Sequence, residues 1–231
     1  MSLLLEVEQL SAPRCPSDMT IRIIIADDHG VVAEGLKHVV ETQPDMEVVS
    51  LAVDGREALR QARELSPDVV LMDLSMPELN GADATRAILE RDPRCRVIVL
   101  SMYAEREYVR RALKAGAVGY VVKRSAAKEV VEAIRAVYAG QRYLSPRIAD
   151  VVIDDYAGDE RDDPLARLSA REREVLQLLA EGHTGAQIAE RLSLSQKTVE
   201  TYRARLVEKL GIRDVAGLVR FAIQRGLVSL D

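Results

Sequence analysis

The 231-residue chain has no tryptophan, one phenylalanine, two cysteines and three histidines. A core built from it must therefore be aliphatic. Cys15 and Cys95 stand far apart, which excludes a disulfide framework or a clustered-cysteine zinc site and makes a reducing cytosol the natural compartment. No apolar run approaches a membrane span, and the opening MSLLLEVEQL lacks the basic region and long apolar stretch of a signal peptide. A cytoplasmic protein with no membrane partner is expected. What is present is 48% hydrophobic and 30% charged with a formal net charge of −5, the balance of a globular protein with one large domain or two small ones.

The charge is divided unevenly. Up to Pro164 there are 21 Lys and Arg against 29 Asp and Glu, and beyond it 11 against 8, so an acidic module precedes a basic one. Between them Asp150, Asp154, Asp155, Asp159, Glu160, Asp162 and Asp163 face one base, Arg161, a self-repelling linker composition. The expected division is a loose N-terminal extension over 1–20, with Met19 an alternative start, an α/β domain over 21–142, an acidic linker over 143–164 and a small all-α domain over 165–231.

Within the first domain short Val, Ile and Leu runs alternate with helical periods. Strands are expected at Ile21–Ala26, Glu47–Ala52, Val69–Met72, Arg96–Leu100 and Gly119–Val122, and helices at Val31–Thr42, Arg56–Leu65, Ala82–Glu90, Glu105–Ala115 and Ala126–Ala139. Five βα units imply a doubly wound, five-stranded parallel sheet, whose ligand site lies at the carboxyl ends of the strands. Those ends carry Asp27 and Asp28, then Asp73, Ser101 and Lys123. Three converging carboxylates repel one another, so either a divalent cation sits among them or one is protonated. Mg²⁺, a hard cation taking oxygen ligands, suits them best. Lys123 adds a point charge for an incoming phosphoryl group and Ser101 a hydroxyl to bond it. Any one of these residues alone reads as a helix cap, a turn residue or a solvated lysine. Together, at successive strand ends, they describe a phosphate site with an aspartate nucleophile.

The basic module is marked by caps. Ser169-Ala170-Arg171-Glu172 and Thr184-Gly185-Ala186-Gln187 are capping boxes, Ser195 caps a third helix that Gly211 stops, and a fourth runs from Val215 to Arg225. The tight turn at Ser193-Leu194 between the second and third makes a helix-turn-helix. On the third helix Val199, Tyr202, Leu206 and Leu210 share the face expected to be buried. Lys197, Glu200, Thr201, Ala204 and Glu208 lie opposite, with Arg203 and Arg205 on the flanks. Lys197, Arg203 and Arg205 suit phosphates, whereas Glu200 and Thr201 suit base edges. Thr184, Ser195 and Thr198, at the two helix starts, complete the expected DNA-facing set. Mixed charge on a solvated helix is the bland alternative, and the turn geometry decides against it.

Ile23-Ile24-Ile25-Ala26-Asp27-Asp28-His29, Glu34-Gly35-Leu36 and the run from Asp73 to Gly81 resemble the receiver domain of two-component response regulators over about Arg22 to Ala139. The resemblance implies that Asp73 is the phosphoacceptor, that Asp27, Asp28, Asp73 and the Ser75 backbone carbonyl hold Mg²⁺, and that a partner's phosphohistidine is the donor. It also implies that Ser101 and Lys123 follow the new phosphate, and that Tyr120 turns inward on activation. From Leu168-Ser169-Ala170-Arg171-Glu172 through Ile188-Ala189 and Thr198-Val199-Glu200 to Lys209-Leu210-Gly211 the chain resembles the LuxR-type DNA-binding domain, and the two together resemble the NarL/FixJ class. One departure is Gly185-Ala186, where the family often shows Asn-Lys; another is Ala204, where some relatives carry a base.

The implied protein is a transcription regulator and not an enzyme. A sensor histidine kinase phosphorylates Asp73, which switches homodimerisation and binding to paired promoter half-sites, with RNA polymerase a further partner. An aspartyl-phosphate hydrolase is the first rival, but it needs an acid at position 75, which is Ser. The second is a phosphorylation-independent DNA-binding regulator whose first domain acts only as a contact module.

Overall fold

The computed structural model of the chain describes residues 20–123, 127–146, 148 and 164–228. The expected N-terminal extension, Arg124, Ser125 and the linker acids lie outside the described residues. The order is β1 Ile21–Ala26, α1 Gly30–Glu41, β2 Met46–Ala52, α2 Gly55–Leu65, β3 Val69–Asp73, α3 Gly81–Arg91, β4 Arg96–Ser101, α4 Arg106–Lys114, β5 Gly119–Val122, α5 Ala127–Tyr138 and β6 Tyr143–Leu144. A 3-10 turn, Pro164–Arg167, then leads to α6 Ala170–Ala180, α7 Gly185–Arg191, α8 Gln196–Leu210 and α9 Val215–Gln224.

The strands form one parallel sheet in the order β2-β1-β3-β4-β5-β6. Alternate side chains enter opposite cores, as the two-residue period of a strand requires. Ile23, Ile25, Leu71, Ile98 and Val121 meet α1 and α5, while Ile24, Val70, Met72 and Val97 form the core beneath α2 and α3. Val99 and Tyr120 belong to a third cluster beside α4.

The five-strand expectation is corrected by β6, which pairs parallel to β5 through Gly119 with Tyr143 and Tyr120 with Leu144. Two residues at a sheet edge carry no alternation that distinguishes a strand from a loop. They also stand on the linker side of the expected boundary. The expected helices form within two residues of their predicted ends.

The helical half is built as its caps direct. Ser169 and Glu172 form one capping box, Thr184 and Gln187 a second, and Ser195 and Asp214 cap α8 and α9. Its core joins Leu165, Val175, Leu178, Ile188, Val199, Leu206 and Leu218. The two halves touch: α6 lies against the loop that leaves β3, and the end of α9 lies against α4.

Candidate functional site

Asp27 directly follows β1 and Asp73 ends β3, where the buried aliphatic runs stop and the chain turns toward the next helix. Both are buried, at 1% and 3% exposure. Lys123 follows β5 and sets its Nζ 2.8 Å from Asp27 Oδ2 and 2.9 Å from Asp73 Oδ2. His29 Nδ1 lies 3.0 Å from Asp28 Oδ1 and 3.4 Å from Asp27 Oδ1. Ligand atoms of Asp27, Asp28, His29 and Asp73 all lie within 4.8 Å of one another.

One ammonium cannot balance three carboxylates. Burial pushes the Asp73 carboxyl up to about 6 despite Lys123, with Asp27 and Asp28 adding to the rise. Burial works against the charge of Lys123, yet Asp73 and Asp27 outweigh it and hold the ammonium above its usual range. Hard carboxylate oxygens with surplus negative charge are the donor set of a divalent oxygen-seeking cation. His29 borders this cluster, as its place directly after Asp28 suggests.

The second Asp73 oxygen, Oδ1, accepts the Leu74 amide at 2.8 Å. Ser75 lies half-buried two residues further along the loop. Ser101 ends β4, is buried, and accepts the Tyr103 amide through Oγ at 3.1 Å. Tyr120 is already inside the fold at 0% exposure and donates its hydroxyl to the Tyr103 carbonyl at 2.8 Å. Burial pushes its phenol well above the ordinary range. Asp27, Asp28, Asp73 and Lys123 thus share one pocket, while Ser101 and Tyr120 meet beside it at Tyr103.

On α8, Val199 and Leu206 are buried and Tyr202 and Leu210 are half-buried. Lys197, Glu200, Thr201, Ala204, Arg205 and Glu208 are exposed. Several of these side chains have local partners: Thr201 Oγ1 donates to the Lys197 carbonyl at 2.9 Å, Arg203 pairs with Glu200 at 3.0 Å, and Arg205 lies over the Tyr202 ring at 5.8 Å. Ser195 Oγ accepts the Thr198 amide at 3.1 Å and lies 2.8 Å from Thr198 Oγ1. A Cβ at Gly185 would sit 3.4 Å from Glu200 Oε1, an ordinary contact, so the packing of α7 against α8 does not itself demand glycine there. Thr184 caps α7 and is engaged with Gln187.

An acidic cluster at the carboxyl edge of a doubly wound sheet, joined to a helix-turn-helix with an exposed charged face, is the layout of a signal-receiving DNA-binding regulator. Residues 23–135 match the model described as response regulator receiver domain, and 166–222 that of bacterial regulatory proteins, luxR family. Response regulator GacA of Pseudomonas aeruginosa is 39% identical over 210 residues, spanning 90% of this chain and 98% of the relative. Oxygen regulatory protein NreC of Staphylococcus carnosus is 37% identical over 216 residues, spanning 90% of this chain and 100% of the relative. Among solved structures, RcsB of Salmonella enterica serovar Typhimurium bound to promoter rprA with phosphomimetic BeF3⁻ superposes with a TM-score of 0.59 at 27% identity, over 87% of this chain and 98% of that one. A LuxR-family two-component response regulator from Aurantimonas sp. SI85-9A1 reaches 0.58 at 40% identity, over 60% of this chain and 99% of that one. The chain belongs to the two-component response regulators of the NarL/FixJ class, a family of DNA-binding transcription regulators and not of enzymes. Among the described residues, no helix is long and apolar enough to cross a membrane.

Proposed function

We propose that this response regulator works in the cytoplasm, takes a phosphoryl group on Asp73 from a sensor histidine kinase, and thereby switches homodimerisation and binding to paired promoter half-sites. The observation that carries this reading is the buried triangle of Asp27, Asp73 and Lys123 beside exposed Asp28, with the Asp73 carboxylate at the open end of the sheet. Asp27, Asp28, Asp73 and the Ser75 carbonyl are the residues that would hold Mg²⁺. The ion supplies charge neutralisation between these oxygens and an incoming phosphoryl group.

The chain's own groups do the rest. The Asp73 carboxylate attacks phosphorus in line as the bond to the kinase's phosphohistidine breaks, and the imidazole leaves with the electron pair. Lys123 keeps a positive charge 2.9 Å from the acceptor oxygen, ready to bond the phosphoryl oxygens. Ser101 exchanges the Tyr103 amide for those oxygens, and Tyr120, held at the Tyr103 carbonyl, fixes the segment that responds. Dimerisation places two copies of α8 on successive half-sites. Lys197, Arg203 and Arg205 neutralise phosphates, and Glu200 and Thr201 face base edges, with Thr184, Ser195 and Thr198 at the helix starts contacting the backbone. RNA polymerase is the further partner of a promoter-bound dimer. The division into a receiver domain, extended past residue 142 by β6, and a helical domain over 165–231 is part of this reading.

The test is intact mass and DNA mobility shift after incubation with acetyl phosphate and Mg²⁺, comparing wild type with Asp73→Asn. One added phosphoryl group, absent in the variant and accompanied by tighter DNA binding, is expected. An unmodified wild type that binds DNA equally well would reduce the first domain to a contact module.

A further inference from the structure

The most buried polar contacts between the two halves fall on the loop that leaves Asp73. Gln177, on α6 of the DNA-binding half, is fully buried in a helix run where Val175 to Leu179 are all buried. Its Nε2 donates to the Met76 carbonyl at 3.0 Å, and its Oε1 accepts the Asn80 amide at 3.0 Å and Asn80 Nδ2 at 2.8 Å. Glu181 accepts the other Nε2 hydrogen at 2.7 Å, which fixes the orientation of the amide. Gln177 therefore grips the loop at both ends of its bend, one residue past Ser75 and one before Gly81.

The same loop is held at its tip. Glu78 has φ 65, a conformation that costs a non-glycine residue. Its carboxylate is ion-paired with Arg191 of α7, and Arg56 lies 4.0 Å away and also pairs with Glu174 of α6 at 3.0 Å. At the next turn Arg173 pairs with buried Asp83 at 2.7 Å. Burial works against the Asp83 charge, but Arg111 and Arg173 win and hold its carboxyl below the usual range. On the far side Arg111 donates to the Gly226 carbonyl, and a Cβ at Gly226 would strike the Tyr108 ring, which stacks on Tyr103 at 4.6 Å. The docked half thus braces both the loop after Asp73 and the segment that holds Ser101 and Tyr120. The charged face of α8 stays exposed throughout.

We infer that Gln177 is a positioning residue for phosphoryl transfer: from the DNA-binding half it orders the Ser75-bearing loop, so the docked protomer is the phosphorylation-competent one. The inference rests on the reading of Asp73 as phosphoacceptor and of the Ser75 carbonyl as a Mg²⁺ ligand. A peptide carbonyl binds a cation more tightly when its flanking peptides are already ordered, and Gln177 bonds the next carbonyl along, that of Met76. By linkage, whatever binds the ordered loop tightens the docking in equal measure.

The test measures Mg²⁺ affinity of the full chain directly by calorimetric titration and, beside it, the initial rate of acetyl phosphate incorporation as a function of Mg²⁺ concentration, read by intact mass. Gln177→Leu keeps the volume and loses every bond to the loop; Arg191→Ala removes only the exposed pin on Glu78 and leaves the helical core intact. The expected result is a Mg²⁺ half-saturation raised about fivefold in Gln177→Leu and about twofold in Arg191→Ala, with rates recovering at saturating Mg²⁺. A residue that merely packs α6 would alter thermal unfolding and leave the Mg²⁺ dependence unmoved. Identical half-saturation in Arg191→Ala and in folded Gln177→Leu would overturn the inference while the phosphoacceptor reading stands. Should Gln177→Leu fail to fold, the Arg191→Ala result decides alone. A wild type that takes no phosphoryl group, or takes it equally in Asp73→Asn, sinks both.

Discussion

The acidic pocket and the face of α8 use the same kinds of residue to opposite ends. In the pocket, charges are buried, one lysine serves two aspartates, and the imbalance is the working property. On α8 the charges are largely exposed, Glu200 and Arg203 pair within the helix itself, and such pairs carry little stability. Burial converts a charge into an energetic commitment, whereas exposure leaves it free to be exchanged for a partner's.

That contrast can be broken from its strongest side first. Lys123→Met should lower stability by about 4 kcal/mol, because it strands two buried carboxylates without their cation; urea unfolding in EDTA measures it. Asp73→Asn should work the other way. The folded carboxyl titrates near 6 against 3.8 for its free value, so the native state holds the extra proton between those pH values. Its contribution is fully present below the free value and is lost as pH rises through the folded one. In metal-free buffer the wild type should lose about 3 kcal/mol across that window, and Asn should flatten the slope and exceed wild type at neutral pH. An unchanged slope in the variant would refute the assignment of that proton to Asp73.

The helical side should respond more weakly. Ser195→Ala removes the cap on α8 and should cost about 1 kcal/mol, seen as a lower urea midpoint with the same m-value. Arg205→Ala should leave folding unchanged, weaken duplex DNA binding a few-fold and reduce the log-log salt slope by roughly 0.9. A loss of stability there as large as that at Lys123 would erase the distinction between the two regions.

The pocket was legible because Asp27, Asp73 and Lys123 each terminate a continuous aliphatic run, and chain order in a doubly wound sheet dictates where such ends meet. The caps at Ser169, Thr184 and Ser195 were legible because a capping box is local. Two things were not. β6 is specified by its neighbour β5 rather than by its own two residues. The grip of Gln177 on Met76 and Asn80 joins residues about a hundred positions apart. Its one trace was a polar residue inside an apolar stretch of α6, which signals a second packing face only once the fold is known.

Gly81 opens α3, its amide bonds the Leu74 carbonyl at 3.0 Å, and a Cβ there would collide with the Asp73 carbonyl. Helix α3 therefore begins in contact with the backbone of Asp73 itself. The first residue of α3 and the last of β3 touch directly, although seven residues of loop separate them in the chain. Helix α3 carries Asp83, and Asp83 in turn is gripped by Arg111 from α4 and Arg173 from α6, so the backbone of Asp73 is tied through one glycine to both halves. The molecule has, in effect, a clasp whose pin is a glycine.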